Sequence, residues 1–382
     1  MDTNVFCVIC GAPFFLEENV FKVDHDKEAY KWIFDVQLLG TISSFRNMEV
    51  VTSSDRQPTN ESRIAKVLLS EPTSWAFSDD DFFQVDGTYY KVLQGDEDGD
   101  VVIPLHSMCI EIACKAIEAH ITYESANSSG LLPIVCLYHG LRDQFHYTIT
   151  FGRSKRCDVL SLDSECEKYG ERSLLGVDML GWWGDEYEKF LWDPMHIPEL
   201  APWLENNLLS SRSRGPESTM TISASNRQLT RLESLPPELI NRIIDFLHSE
   251  SILALRSTSK SMALKIPLDD RFWRDHILNG KLLPHAWEVT STAFQSKLRE
   301  AQHDGRCNSQ WTDFRKLVQL AGKSNVVASF RDLREPEIPL GYWNRCRIWK
   351  IIEDSIIRPH SRRKAYGTIL RNNIDTTFQE GE

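Results

Sequence analysis

The sequence predicts an α+β, predominantly helical chain: a mixed α/β domain, a flexible linker, a three-helix module and a helical C-terminal region. Three observations carry this expectation. Before residue 205, β-prone runs occur beside a helical period. Residues 205–231 (ENNLLSSRSRGPESTMTISASNRQLTR) are rich in Ser, Asn, Arg and Thr and lack a buried-face period, which is a linker composition. From residue 232 onward the apolar side chains recur mostly at helical spacing. The expected divisions are therefore 1–204, 205–231, 232–275 and 276–382.

The 382 residues suit two or three compact units at roughly 150 residues each. An apolar share of 41% is a globular value rather than a disordered one. The 43 basic residues against 55 acidic ones leave a net charge of −12, which argues against nonspecific nucleic-acid or acidic-membrane binding. Nine cysteines, an odd number thinly spread, do not form a secreted disulfide framework, so a reducing, intracellular compartment is expected. The N-terminal run MDTNVFCVICGAPFFLEENVF lacks a basic n-region and does not read as a signal peptide. No apolar run approaches the roughly 18–20 residues of a membrane-spanning helix.

In chain order, Thr88–Leu93 (TYYKVL) and Val101–Ile103 are β-prone and flank QGDEDGD, which predicts a hairpin with a solvated acidic turn. A calcium loop at Asp96–Asp100 fails, because Val101 and Ser107 stand where Gly and Glu are needed. The segment 107–121 places Ile110, Cys114, Ile117 and Ile121 on one helical face. Residues 182–192 (WWGDEYEKFLW) are the most aromatic; a peptide-binding surface and a helical core face both fit, with core favoured. WTDFRKLVQLAG (311–322) and GYWNRCRIWKIIEDSII (341–357) read as helices, the latter with Ile348, Ile352 and Ile356 aligned.

The first candidate site is a split metal centre. Cys7-Val-Ile-Cys10-Gly11 has the form of a zinc knuckle, in which a tight turn brings two thiolates to one ion. His106 and Cys109, at i and i+3 where the helix begins, would supply the other half; Cys114 and His25 are weaker substitutes. Four ligands leave no open position, so zinc here would be structural. Small buried cysteines with a packing histidine are the plain alternative. A redox CxxC ranks last, since no βαβ pattern surrounds it.

The second candidate site is LESLPPELINRIIDFLHSESILALRSTSKSMALKIPLDDRFWRD (232–275). Ser234 is an expected N-cap, and Pro236 and Pro237 suit a helix start that can spare N–H donors. Leu239, Ile243 and Leu247 form a stripe that Ile240, Ile244 and Phe246 widen. A second short helix follows near Ser251–Arg256, and a basic third over Ser257–Lys265. A module of this size has little interior. Its aliphatic surface must be covered, either by the rest of the chain as the start of a helical domain, or by another protein.

LPPELINRIIDFL followed by SILALRSTSKSM closely resembles the F-box, the three-helix module that docks on the Skp adaptor of cullin-based SCF ubiquitin ligases. The resemblance implies that Leu235, Pro236, Leu239, Ile243, Leu247 and Leu255 occupy adaptor-facing or module-core positions, with Ser259 and Lys260 as the S-K ending. DRFWRDHI (270–277), WNRCRIW (343–349) and CVICGAPF (7–14) resemble runs of a filamentous-fungal F-box group. The implied function is a non-catalytic substrate receptor: the box grips the Skp adaptor, a cullin–RING scaffold is reached through it, and other domains hold an unknown protein substrate. The alternative from another class is a binding scaffold whose box is packed within its own chain. No GxSxG elbow, phosphate loop or HExxH is present; a hydrolase would need a pocket such as Cys136 with His139 and a carboxylate.

Overall fold

The computed structural model describes residues 6–16, 24, 26–50, 67–75, 82–95, 99–124, 132–150, 159–160, 162, 169, 189–209, 230–247, 249–303, 314–328 and 338–359. Its N-terminal elements are β1 (Val36–Thr41), α1 (Ile42–Met48), β2 (Glu49–Val50), β3 (Val67–Leu69), β4 (Ser74–Trp75), β5 (Phe82–Val85), β6 (Thr88–Lys91) and β7 (Ile103–His106). Helices α2 (Ser107–Glu124), α3 (Pro133–Thr150) and α4 (Leu200–Leu209) follow. Next come α5 (Pro237–Asp245), α6 (Ser249–Ser257), α7 (Lys260–Lys265) and α8 (Asp270–Leu278). The chain continues through α9 (Thr292–His303), α10 (Phe314–Ala321), α11 (Lys323–Ala328) and α12 (Leu340–Ile352). The fold is α+β and predominantly helical, with its strands confined to the N-terminal region.

The chain divides into two compact units, one of residues 1–118, 128–197 and 327–382, the other of 119–127 and 198–326. This differs from the expected boundaries at 204 and 276: α4 belongs with the second unit, and the C-terminal region is split between both. Residues 205–209 of the expected linker are the end of α4, and 210–229 lie outside the described residues.

In the first unit, β1 is the middle of a three-stranded antiparallel sheet ordered β3-β1-β7, with Leu39 opposite Leu69 and Val36 opposite His106. Its near-continuous burial fits a strand covered on both faces. Thr41 ends β1 and starts α1 through a reciprocal capping box with Ser44. A second sheet runs β2-β6-β5-β4. Here the expected hairpin is corrected. β6 pairs with β5 across Asp86-Gly87, both of positive φ at 48° and 80°, whereas Val101 makes only an isolated bridge to Gly95 and Ile103 starts β7. Asp-Gly relieves the steric cost of those two left-handed residues, which fixes the turn there.

Asp100 also departs from its expected solvated turn. It is buried, accepts from Thr41 Oγ1 at 2.7 Å and Ser43 Oγ at 3.2 Å, and pairs with Arg142 at 3.0 Å. Asp96–Asp98 lie outside the described residues.

Helix α12 explains how a polar run can sit in a core. Asn344, Arg345 and Arg347 are fully buried with Trp343 and Trp349. Asn344 Nδ2 donates to the carbonyls of Phe190 (3.1 Å) and Trp192 (2.9 Å), and Arg345 Nε and Nη2 donate to those of Pro194 (2.6 Å) and Met195 (3.0 Å). The irregular 190–195 segment has no ladder to satisfy its carbonyls, so α12 side chains do it. The approach is close: a Cβ on Gly341 would lie 2.3 Å from the Asp193 carbonyl oxygen. Phe190, the described part of the aromatic run with Lys189, Leu191 and Trp192, is core, packed edge-on against Trp343 at 5.3 Å.

In the second unit, Ile240, Ile244, Ile252, Met262 and Ile266 form a small core, with Leu235, Leu247, Leu255 and Phe272 packed around it. Ser234 does not cap α5. Its hydroxyl donates back to the Arg231 carbonyl, and Pro236 occupies the cap position, because the diproline already provides a start without N–H donors. Asp269 caps α8 through the Phe272 amide at 2.8 Å. Among the described residues, no helix is long and apolar enough to cross a membrane.

Candidate functional site

Two sites emerge, one in each unit. In the second unit, α5 carries two apolar stripes offset by one residue. Ile240, Ile244 and Leu247, at i, i+4 and i+7, face the module core. Leu239, Ile243 and Phe246 form the adjacent stripe, where Leu239 is 48% exposed, Ile243 is half-buried and Phe246 is 70% exposed. Leu253 of α6 is 45% exposed. Large apolar side chains left this open on short helices mark a surface that binds something.

The segment leading into α5 is tied down by polar contacts. The buried Glu233 carboxylate accepts from the Thr230 amide at 2.7 Å and from Ser259 Oγ. Ser259 in turn caps α7 through Met262 N–H at 3.2 Å, and Lys265 Nζ donates to the carbonyls of Glu233 (2.6 Å) and Leu235 (2.7 Å). The chain before α5 is thereby tied to the third helix. Lys260, the other half of the S-K pair, is exposed. Of the six sequence-derived positions, Leu239 and Pro236 are exposed, while Leu235, Ile243, Leu247 and Leu255 are half-buried. Phe246 and Leu253 were signalled only as part of a broad apolar face.

The first unit brings Cys7, Cys10, His106 and Cys109 together: all four are buried, and their ligand atoms lie within 4.8 Å of one another. The knuckle is a turn in which Gly11 N–H donates to the Cys7 carbonyl at 2.8 Å and Cys7 N–H to the Ala12 carbonyl at 3.0 Å. Gly11 has φ 73°, the left-handed region where a side chain is strained. The other half arises at the junction where β7 ends at His106 and α2 begins at Ser107, so one helical turn carries Cys109 onto the same side. Cys114 is not in the group, and His25 lies outside the described residues.

His106 Nδ1 lies 3.3 Å from Cys10 Sγ and 4.0 Å from Cys109 Sγ, while Nε2 donates to the Pro13 carbonyl at 3.0 Å. That outer bond fixes the tautomer that turns the Nδ1 lone pair toward the sulfurs. Burial would raise the Cys7 thiol, but hydrogen bonds from Cys10 and Cys109 and the charge of His106 hold it well below the ordinary value. Burial, then the Cys10 and Cys7 sulfurs, push Cys109 well above it. Burial would lower the His106 imidazole, yet the charges of Cys10 and Cys7 raise it to about 10. A dication among them allows three thiolates and a neutral imidazole to coexist. The buried cluster has the donors and spacing to bind a metal ion.

The second unit thus presents a small helical module with an open apolar stripe. The family model of the F-box domain matches residues 232–274, so this chain carries an F-box domain there. F-box domains bind the Skp adaptor of SCF ubiquitin ligases, and in general they serve in non-catalytic receptor subunits. No curated protein and no solved structure matches the chain.

Proposed function

We propose that this chain is a non-catalytic substrate-recognition subunit of an SCF-type ubiquitin ligase. The box grips the Skp adaptor, and through it a cullin–RING scaffold; the remainder presents an unidentified protein substrate. Recognition works by proximity, since tethering raises the effective concentration of substrate lysines near the conjugating enzyme. The reading places the protein inside the cell and, from the CVICGAPF and WNRCRIW runs, in the filamentous-fungal group. Of the six positions, Pro236, Leu239 and Ile243 would make the docking contact, joined by Phe246, while Leu235, Leu247 and Leu255 support that surface from the module core.

The observation that carries this reading is the open stripe of Leu239, Ile243 and Phe246 on a helix whose opposite stripe is already committed to a core. A box self-packed inside its own chain would cover Leu239 and Phe246. Burying a Leu or Phe fully contributes roughly 1.5–3 kcal/mol, so two or three such anchors suffice for a specific grip. Co-expression of the full chain with a Skp adaptor tests it. Co-purification is expected and should vanish for the Pro236→Ala/Leu239→Ala double variant; adaptor recovery equal to that of the unchanged chain rejects the docking face.

The metal belonging to Cys7, Cys10, His106 and Cys109 is proposed to be one structural zinc ion. Three thiolates and an imidazole suit zinc, and a tetrahedron with Zn–S near 2.3 Å places sulfurs roughly 3.8 Å apart, compatible with the observed spread. Elemental analysis of freshly purified chain should give close to one mole of zinc per mole of protein.

A further inference from the structure

Arg347 is fully buried in α12, and its interactions are few. Nη2 donates to the Cys10 carbonyl at 2.7 Å, and Nε and Nη2 lie 3.4 and 3.3 Å from Asn344 Oδ1. The guanidinium stacks over Phe190 at 4.7 Å from the ring centroid, and Nη1 has no hydrogen-bond partner. Among the described residues, no carboxylate pairs with it. A lone guanidinium in a protein interior is strongly disfavoured unless an opposite charge lies near. The groups whose charge bears on it are the sulfurs of Cys10, whose carbonyl it holds, Cys109 and Cys7.

We infer that Arg347 is the counter-charge of the metal–thiolate centre, so that one ion fixes both the N-terminal knuckle and helix α12. This rests on the zinc reading above. One dication with three thiolates and a neutral imidazole leaves one negative charge over, which a single buried guanidinium balances. Arg347 reaches the centre through the carbonyl of a ligand residue, and that contact also pins the turn from which Cys10 projects. The sequence positions are 337 residues apart, yet the ion and the arginine need each other in the same dry space. Arg347 acts through the ligands and is a positioning residue, not a ligand.

The test is a zinc competition titration of the full chain against a chromophoric chelator. Arg347→Met and Arg347→Gln should each weaken zinc binding about tenfold, the lower end of what outer partners of metal ligands contribute. Arg347→Lys should keep most of the affinity. In a Cys109→His background the loaded centre is neutral, and there Arg347→Met should change affinity by less than about twofold, as a double-mutant cycle requires of a charge pairing. An equal loss in both backgrounds would mean that Arg347 merely fills space, and no loss in the unaltered background would remove its role altogether. If Met prevents folding, the Gln variant, which keeps a donor without charge, supplies the same comparison. Absence of zinc from the unaltered chain is a separate result: it retires the zinc reading, and the inference with it.

Discussion

Asp100 is the clearest single-residue case in the first unit. Burial raises its carboxyl, but hydrogen bonds from Thr41, Arg142 and Ser43 prevail and hold it below the ordinary aspartate value. A carboxyl lowered in the folded state stabilises above its unfolded value and loses that contribution as pH falls through the folded one. Asp100→Asn should therefore cost about 1.5–3 kcal/mol at neutral pH, the range for hydrogen bonds to a charged group. The difference should shrink toward zero below about pH 3–4, as denaturant titrations of both proteins across pH would record. An undiminished difference at acid pH would show that shape, not charge, holds that corner. Nothing in the acidic run around Asp100 distinguishes it from its solvated neighbours, since composition carries no information on which acid meets Arg142. The cysteine–histidine group was legible, because CxxC and HxxC spacings are local and a tetrahedral ion needs two such pairs. Arg347 was not, because its partner lies at the other end of the chain.

At the scale of the element, α5 separates folding from docking along one helix. Ile240 points into the small core and Leu239 beside it points out. Ile240→Ala should cost about 2–5 kcal/mol and melt the module. Leu239→Ala with Phe246→Ala should change stability by less than about 1 kcal/mol while abolishing adaptor co-purification. Thermal melts and pull-downs on the same preparations would tell these apart; a large loss of stability in the outer double variant would assign those side chains to the core instead. The helices here were readable because their apolar periods are long enough to register. The β5–β6 hairpin is also written in the sequence, as Asp86-Gly87 between FFQV and TYYK, although the acidic QGDEDGD run beyond it has a similar turn composition. The capping of α5 departs from the Ser234 expectation for a simpler reason: a diproline makes a side-chain cap unnecessary.

For the whole molecule, the two units depend on different kinds of support. The first is assembled from three separate stretches of chain, and its polar interior is satisfied by α12 and by the Cys7–Cys10–His106–Cys109 group. That dependence was beyond sequence reading, because the 3.6-residue period shows which face of α12 is apolar but not that every face is covered. The second unit has its own apolar core and no part in the cysteine group. On the zinc reading, the ion would contribute its binding free energy to folding, so removing it should lower the stability of one unit and spare the other. Treatment of the full chain with a strong zinc chelator, or Cys7→Ser, should move an early thermal transition down by several degrees and increase amide exchange at residues 6–13 and 340–352. The module of α5–α7 should keep its protection, and the adaptor should still co-purify. Loss of adaptor binding on chelation would mean that the metal centre and the docking stripe belong to one cooperative structure, which their separate cores argue against.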